Sequence, residues 1–259
     1  MYLSNNGASN ERNFQSQMVV FVGYVLLFAD DGQGCGCVSR ARRRLDFFSL
    51  QKHDDTFLPL PIISYEGERF YVRGLSAGVH IWKNEMHEVS LGLSYSALSF
   101  DSSKTDDRRL KKLEDRYSSI DADLQYNLRT DYGHAGIKVS RDILGNSDGF
   151  SAEAYYKYPF SIGQVYISPG AGVRWDSQEQ IDYYYGVSSR ESRRSGLDKY
   201  DPDGGFSPFL SLEADWCFTE NWSVMAGGRV DFLSSEIKDS PMVDDDQIFS
   251  ATIGIKYTF

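Results

Sequence analysis

The sequence predicts an all-β fold, a transmembrane antiparallel up-and-down β-barrel of about 10–12 strands. Three observations predict it. Apolar and polar residues alternate with period two over segments long enough to cross a bilayer. The connections between them are alternately short and long. Tyr, Phe and Gly are abundant (17, 16 and 23) although no hydropathic run appears.

Each strand rests on the same grammar, because successive side chains in a strand point to opposite faces. In His87–Phe100 the apolar register is Val89, Leu91, Leu93, Tyr95 and Ala97. In Arg116–Thr130, Ile120, Ala122, Leu124, Tyr126 and Leu128 alternate with Asp121, Asp123, Gln125, Asn127 and Arg129. Phe150–Phe160 reads through Phe150, Ala152, Ala154, Tyr156, Tyr158 and Phe160, and Val165–Trp175 through Val165, Ile167, Ala171, Val173 and Trp175. Pro208–Phe218 contributes Leu210, Leu212, Ala214, Trp216 and Phe218. The last segment, Gln247–Phe259, sets Phe249, Ala251, Ile253, Ile255, Tyr257 and Phe259 against Ser250, Thr252, Gly254, Lys256 and Thr258. A tilted strand needs about 9–11 residues to span hydrocarbon, and these segments reach that. Soluble sandwiches use strands of about five or six and do not carry Asp, Arg, Lys and Glu steadily along one face. A water-facing lumen accounts for that polar face.

Short turns are expected at Lys83–Met86, Asp131–Gly133, Ser161–Gly163 and Thr219–Asn221, and long polar loops at Asp101–Asp115, Asp176–Gly205 and Glu236–Asp246, with Gly145–Gly149 a shorter member. Bacterial barrels place tight turns in the periplasm and long loops outside, so Phe259 is expected at the periplasmic end. About ten strands are recognisable, and closure with an even number suggests twelve in an intact relative.

Composition sets the outer limits. Asp and Glu (37) exceed Lys and Arg (27), a net charge of −10 that provides no excess to neutralise phosphates, so nucleic acid is excluded as a partner. With a mean hydropathy of −0.43 and no run of about 18 apolar residues, a transmembrane helix is excluded too.

The order of several segments carries a family likeness. Leu58-Pro-Leu-Pro-Ile-Ile-Ser-Tyr-Glu-Gly67 is followed by Phe70-Tyr-Val-Arg-Gly74, Leu113-Glu-Asp-Arg116, Asn146-Ser-Asp-Gly149 and Ser168-Pro-Gly-Ala-Gly-Val-Arg-Trp175. Tyr183-Tyr-Tyr-Gly-Val-Ser-Ser-Arg-Glu-Ser-Arg-Arg-Ser-Gly-Leu197, Ser207-Pro208, Asn221-Trp-Ser-Val224 and Ser240-Pro-Met-Val-Asp244 complete the set. From about Asp54 to Phe259 the chain resembles the MipA/OmpV family of Gram-negative outer-membrane proteins. The resemblance implies an outer-membrane location and a non-enzymatic scaffold that brings a lytic murein transglycosylase of the MltA type together with a bifunctional penicillin-binding protein. The alternative it leaves open is a narrow channel, permeability factor or adhesin. Ile253, Ile255, Tyr257 and Phe259 resemble the address that the barrel assembly machinery reads. Outer-membrane lipid and lipopolysaccharide would be the surroundings.

Residues 1–50 depart from that pattern, and residues 51–259 form the expected barrel. Met18–Ala29 is apolar, but only Arg12 precedes it, and no small-residue cleavage site follows. Gly34-Cys-Gly-Cys37 and the basic cluster Arg40–Arg44 come next. A shifted frame or misplaced start is the simplest reading, with an unusual signal anchor as the alternative. The first reading predicts a barrel without its first strand, and so an unpaired edge.

No constellation argues for catalysis, cofactor or metal. Cys35 and Cys37 are too few and too close for a zinc site, and Cys217 reads as isolated. His53, His80, His87 and His134 form no paired motif. His134 shares a polar face with Lys138, Ser140 and Asp142, which keeps a rim hydrolase in consideration, yet no Gly-x-Ser-x-Gly marker exists. The acids at Asp101–Asp107 and Asp244–Asp246 lack the glycine and terminal glutamate of a calcium loop. They read as solvated, with cation bridging to lipopolysaccharide phosphates left open. The sharpest feature is Tyr183, Tyr184 and Tyr185 beside Arg190, Arg193 and Arg194. Such residues either contact a partner or fold inward as a plug, with the arginines against wall carboxylates. For a channel, Asp121, Asp123, Arg129, Lys138 and Glu153 would line the lumen.

Overall fold

A computed structural model describes the backbone of residues 44–53, 56–60 and 64–258, and the side chains of residues 65–255. One antiparallel sheet dominates it. In chain order the strands are β1 (Arg44–His53), β2 (Thr56–Leu60), β3 (Ser64–Glu66), β4 (Phe70–Arg73), β5 (Ser76–Lys83), β6 (His87–Ser96), β7 (Ser119–Thr130), β8 (Gly133–Asp142), β9 (Phe150–Lys157), β10 (Phe160–Ile162), β11 (Val165–Asp176), β12 (Gly205–Cys217), β13 (Trp222–Phe232) and β14 (Gln247–Thr258). Three short helices, α1 (Gln178–Tyr185), α2 (Ser189–Ser195) and α3 (Ser235–Lys238), lie in the long connections.

Thirteen strands follow one hydrogen-bonded path, β2-β1-β14-β13-β12-β11-β9-β8-β7-β6-β5-β4-β3. Its two ends, β2 and β3, are consecutive in the chain, so one stretch pairs β1 through its first half and β4 through its second. Counted as one position, that stretch leaves twelve around the path. Along the path, backbone polar groups are satisfied strand to strand, as hydrocarbon requires.

The wall is inside out. Leu91, Leu93, Leu124, Ile137, Leu210, Leu212, Ile253 and Ile255 are exposed, while Glu88, Ser90, Asp123, Gln125, Asn127, Glu213, Arg229 and Asp231 are buried. The alternation read from the sequence is therefore real, and its apolar face points outward. The side chains of Tyr257 and Phe259 lie outside the described residues.

Two expectations need correction. Phe150–Phe160 is not one strand: Pro159 offers no N–H to the ladder, so β9 stops at Lys157 and β10 resumes at Phe160, both against β11. Nor is the first strand missing. The backbone of Arg44–His53 pairs with β14 from Arg44↔Thr258 to Lys52↔Ala251, so β14 has a strand partner on that side. A register shift between Asp46 and Phe48 marks a β-bulge, which resets the period-two count and hides this strand from a pattern search. The apolar run Met18–Ala29, Cys35, Cys37 and most of the basic cluster lie outside the described residues.

Candidate functional site: a filled and capped lumen

The polar registers of the strands meet inside the barrel. Arg73 on β4 donates to Glu66 on β3 (3.1 Å) and to Glu88 on β6 (2.9 Å). Glu88 also accepts from Asn127 (3.2 Å) and Arg129 (3.0 Å) on β7, and Asn127 accepts from Tyr155 on β9 (2.7 Å). This single chain of bonds runs from β3 to β9. Further along, Arg229 on β13 reaches across to Glu153 on β9 (3.0 Å) while chelating Asp231, and its guanidinium lies 3.5 Å from the Phe209 ring centre. Lys157 on β9 meets Glu213 on β12 (2.6 Å), and Lys138 meets Asp123 (3.2 Å). The residues expected to line a channel do face the lumen, but Asp123, Arg129, Lys138 and Glu153 are spent on ion pairs. Breaking such a buried pair leaves an uncompensated charge.

Glu66, His80 and Glu88 bring ligand atoms within 4.8 Å of one another. Arg73, Lys83 and Arg129 already occupy these carboxylates. A divalent cation would have to displace one of them, so the chemistry of the donor set does not fit a metal.

His134 is the second residue of β8 and Ser140 lies six residues on, a separation of about 20 Å along a strand. Ser140 donates to Asp123 (2.6 Å), and Asp142 accepts from Ser119 and from the amides of Leu144 and Ser147. At that separation Ser140 and His134 are out of hydrogen-bond reach of one another.

Above the wall, the long connections fold over one mouth of the barrel. The loop from Asp176 to Gly205, expected as a long polar loop, holds α1 and α2. Ser177 caps α1, and Ser188 with Glu191 forms a complete capping box on α2. Ile181, Tyr184 and Tyr185 of α1 pack with Leu233 and Ile237, and Leu98 and Ile248 lie against this cluster. A second cluster joins Phe100, Leu110, Leu113, Val187, Leu197 and Met242 from all three long loops. The hydroxyls of Tyr183 and Tyr184 both bind the backbone of Tyr117, accepting from its amide (3.0 Å) and donating to its carbonyl (3.2 Å). Arg116 and Glu191 form a buried pair at 2.9 Å, and Glu191 also accepts from the Glu114 amide (3.0 Å) and Ser188. Burial pushes the Glu191 carboxyl up, but the hydrogen bonds from Ser188, Glu114 and Arg116 outweigh it and hold it at about 2.

Between cap and wall remains a cavity of about 30 Å³, edged by Arg174, Asp176, Tyr184, Tyr185 and Asp231. The arginines of the motif do not meet wall carboxylates as expected. Arg194 pairs with Glu114 (3.6 Å) and donates to the Lys112 carbonyl, while Arg190 and Arg193 are exposed. The wall acids Asp176 and Asp231 are taken by Arg174 and Arg229, which lie two residues away on their own strands. Cys217, read as isolated, is disulfide-bonded. Spacing along one strand cannot reveal such a link.

A family profile described as MltA-interacting protein MipA matches residues 47–259. The chain belongs to the MipA family. MltA-interacting protein of Escherichia coli is 38% identical over 207 residues, covering 80% of this chain and 84% of that one. The outer-membrane protein YiaT of Escherichia coli is 34% identical over 200 residues (77% and 81%), and OmpV of Vibrio cholerae is 23% identical over 212 residues (81% and 81%). Among solved structures, OprB of Pseudomonas putida aligns at TM-score 0.40 and 12% identity, covering 71% of this chain and 47% of that one. As a MipA-family β-barrel, the protein is located in the Gram-negative outer membrane. Its C-terminal strand ends beside the short turns, so the cap lies on the outer side.

Arg73, Glu66 and Glu88, which centre the luminal network, were not singled out from sequence. The signal was there for Glu88, which shares the non-apolar register of β6 with Ser90, Gly92 and Ser94. The capping box Ser188–Glu191 was equally legible.

Proposed function

We propose that this protein is a closed, non-enzymatic outer-membrane scaffold that holds an MltA-type lytic murein transglycosylase, and with it a bifunctional penicillin-binding protein, at the membrane during peptidoglycan remodelling. The observation that carries this reading is the lumen. Ion pairs bridge it from wall to wall, and a packed cap covers one mouth. A permeability factor needs a continuous wet path, and this arrangement argues against one. The name of the 38% identical relative, MltA-interacting protein, supports the transglycosylase as partner. In the same reading Tyr183, Tyr184 and Tyr185 serve as the lid of the plug, and the barrel assembly machinery recognises the strand ending at Phe259.

Murein enzymes approach from the periplasm, so their contact falls on the short turns. Tyr132 is 82% exposed there, and Met86 and Ile162 are exposed on neighbouring turns. Tyr-centred apolar contacts commonly anchor interfaces. The test is capture of purified transglycosylase by the full chain folded in detergent, compared with Tyr132→Ser combined with Met86→Ser. The scaffold reading predicts capture by the parent and a loss of at least about tenfold in the variant, the size of effect one anchor residue supplies. No capture by the parent chain would overturn it. The adhesin reading is favoured by a single feature, the ordered outward-facing cap, and predicts host-surface binding that disappears when the cap is opened.

A further inference from the structure

Charge is unevenly distributed over the outer surface. In the wall, Arg73, Arg129, Lys138 and Arg229 each hold a carboxylate, as do Arg109, Arg116 and Lys199 in the cap. Five cations that hold none are gathered in one place. Arg108, Lys111 and Lys112 surround the 3₁₀ turn at Leu110–Lys112, and Arg190 and Arg193 lie on α2. All five are exposed, and among the described residues they have no ion-pair partner. The two elements are locked together: Arg194 of α2 donates to the Lys112 carbonyl, and Glu191 accepts from the Glu114 amide. A shallow open groove lies beside the 3₁₀ turn, bordered by Ser102, Lys111, Lys112, Glu114, Asp115, Tyr117 and, from α2, Arg194.

We propose that this face of the cap binds the phosphate groups of phosphorylated glycolipid in the outer leaflet. A chain of net charge −10 repels anions as a whole, so an unpaired basic cluster is a local feature and not a by-product of composition. Two acids also border it: Asp115 accepts from Ser102, and Glu114 faces Arg194 at 3.6 Å, so the cations outnumber them. Arginine forks and lysine ammonium groups are the side chains that take phosphate. The height is right as well. Tyr117, 64% exposed, borders the groove two residues before β7 begins, and Tyr95 of the lipid-facing band donates to Ser118 beside it (2.8 Å). The groove therefore opens where the apolar belt ends and headgroups begin. The buried Arg116–Glu191 pair fixes α2 in place, so the basic face is preorganised.

The test uses the full chain folded in detergent and incubated with lipid A, phosphorylated or enzymatically dephosphorylated. Co-purified lipid is read by mass spectrometry, and folding is checked by mobility on unheated gels. The wild-type protein should retain the phosphorylated form at least about tenfold better than the dephosphorylated one, the size expected when several basic residues act together near anionic headgroups. The variant K111E/K112E/R190E/R193E should lose that preference. K111Q/K112Q, a milder change, should weaken it if the charge-reversed chain does not fold. R69E/K238E, which alters unpaired cations elsewhere, should retain it. Equal retention of the two lipids, or a preference unmoved by the patch variants, would overturn the proposal. A third arm adds excess inorganic phosphate. Persistence of the bound lipid supports the headgroup, whereas full displacement would reassign the surface to free phosphate.

Discussion

In the barrel wall Arg73, Glu88 and Asp123 are buried while Leu91, Leu124 and Ile137 stand exposed. In the cap the order is reversed: Ile181, Tyr184 and Met242 are buried, and Arg190, Arg193 and Lys111 face outward. Both regions come from one chain, so the difference lies in the surroundings each meets. The wall is bounded by hydrocarbon, where burying apolar surface inside gains nothing and internal polar groups must satisfy one another. The cap is bounded by water, where apolar burial contributes about 25 cal/mol per Å². The level at which the rule inverts, near Tyr95, Tyr117 and Ser119, marks the outer edge of the membrane.

The contrast can be broken at specific residues. The largest effect is expected for Arg73→Ala, which removes the buried cation that Glu66 and Glu88 share and leaves them to Lys83 and Arg129. Removal of one partner from a buried pair costs about 3–5 kcal/mol, measurable as a lower urea midpoint in vesicles. Replacement of Arg73 by Lys should recover part of that loss. Tyr184→Ala should cost about 3 kcal/mol, the scale for deleting a buried aromatic ring, but locally. Protease should cut between residues 177 and 204 while the barrel still migrates as folded. Simultaneous unfolding of wall and cap would contradict their independence. Leu91→Arg, mid-strand and opposite Leu124, should destabilise insertion by about 2–4 kcal/mol, whereas Arg190→Leu in the cap should stay within about 0.5 kcal/mol.

The smallest effect depends on pH. Against the upward push of burial, hydrogen bonds from Ser188, Glu114 and Arg116 hold the Glu191 carboxyl at about 2, below the ordinary glutamate range. A depressed carboxylate contributes stability fully above its unfolded pKa and loses it as pH falls through the folded value. Hydrogen exchange in α2 should therefore accelerate as pH drops from about 4.5 toward about 2, after correction for intrinsic rates. Glu191→Gln should exchange fast throughout and lose the pH response.

Much of this architecture was legible because lipid enforces strict alternation. Leu210, Leu212 and Trp216 had to share a face, and they do. The parts that were not legible follow from departures from period two. The bulge between Asp46 and Phe48 hid β1, and Pro159 split a strand that looked continuous. In β13 the pair Gly227–Gly228 dilutes the alternation, and Met225 sits on the buried face. The cap was missed for another reason. Its helices are eight residues or shorter and are held by tertiary contacts, such as Tyr183 and Tyr184 on Tyr117, that no local pattern encodes.

Single-channel recording of the full chain in planar bilayers tests the closed lumen most directly. The account predicts no steady conductance for the wild-type barrel, with flickering steps appearing only when the cap and the Arg73 and Arg229 pairs are removed together. Steady, ion-selective conductance through the unmodified protein would contradict it.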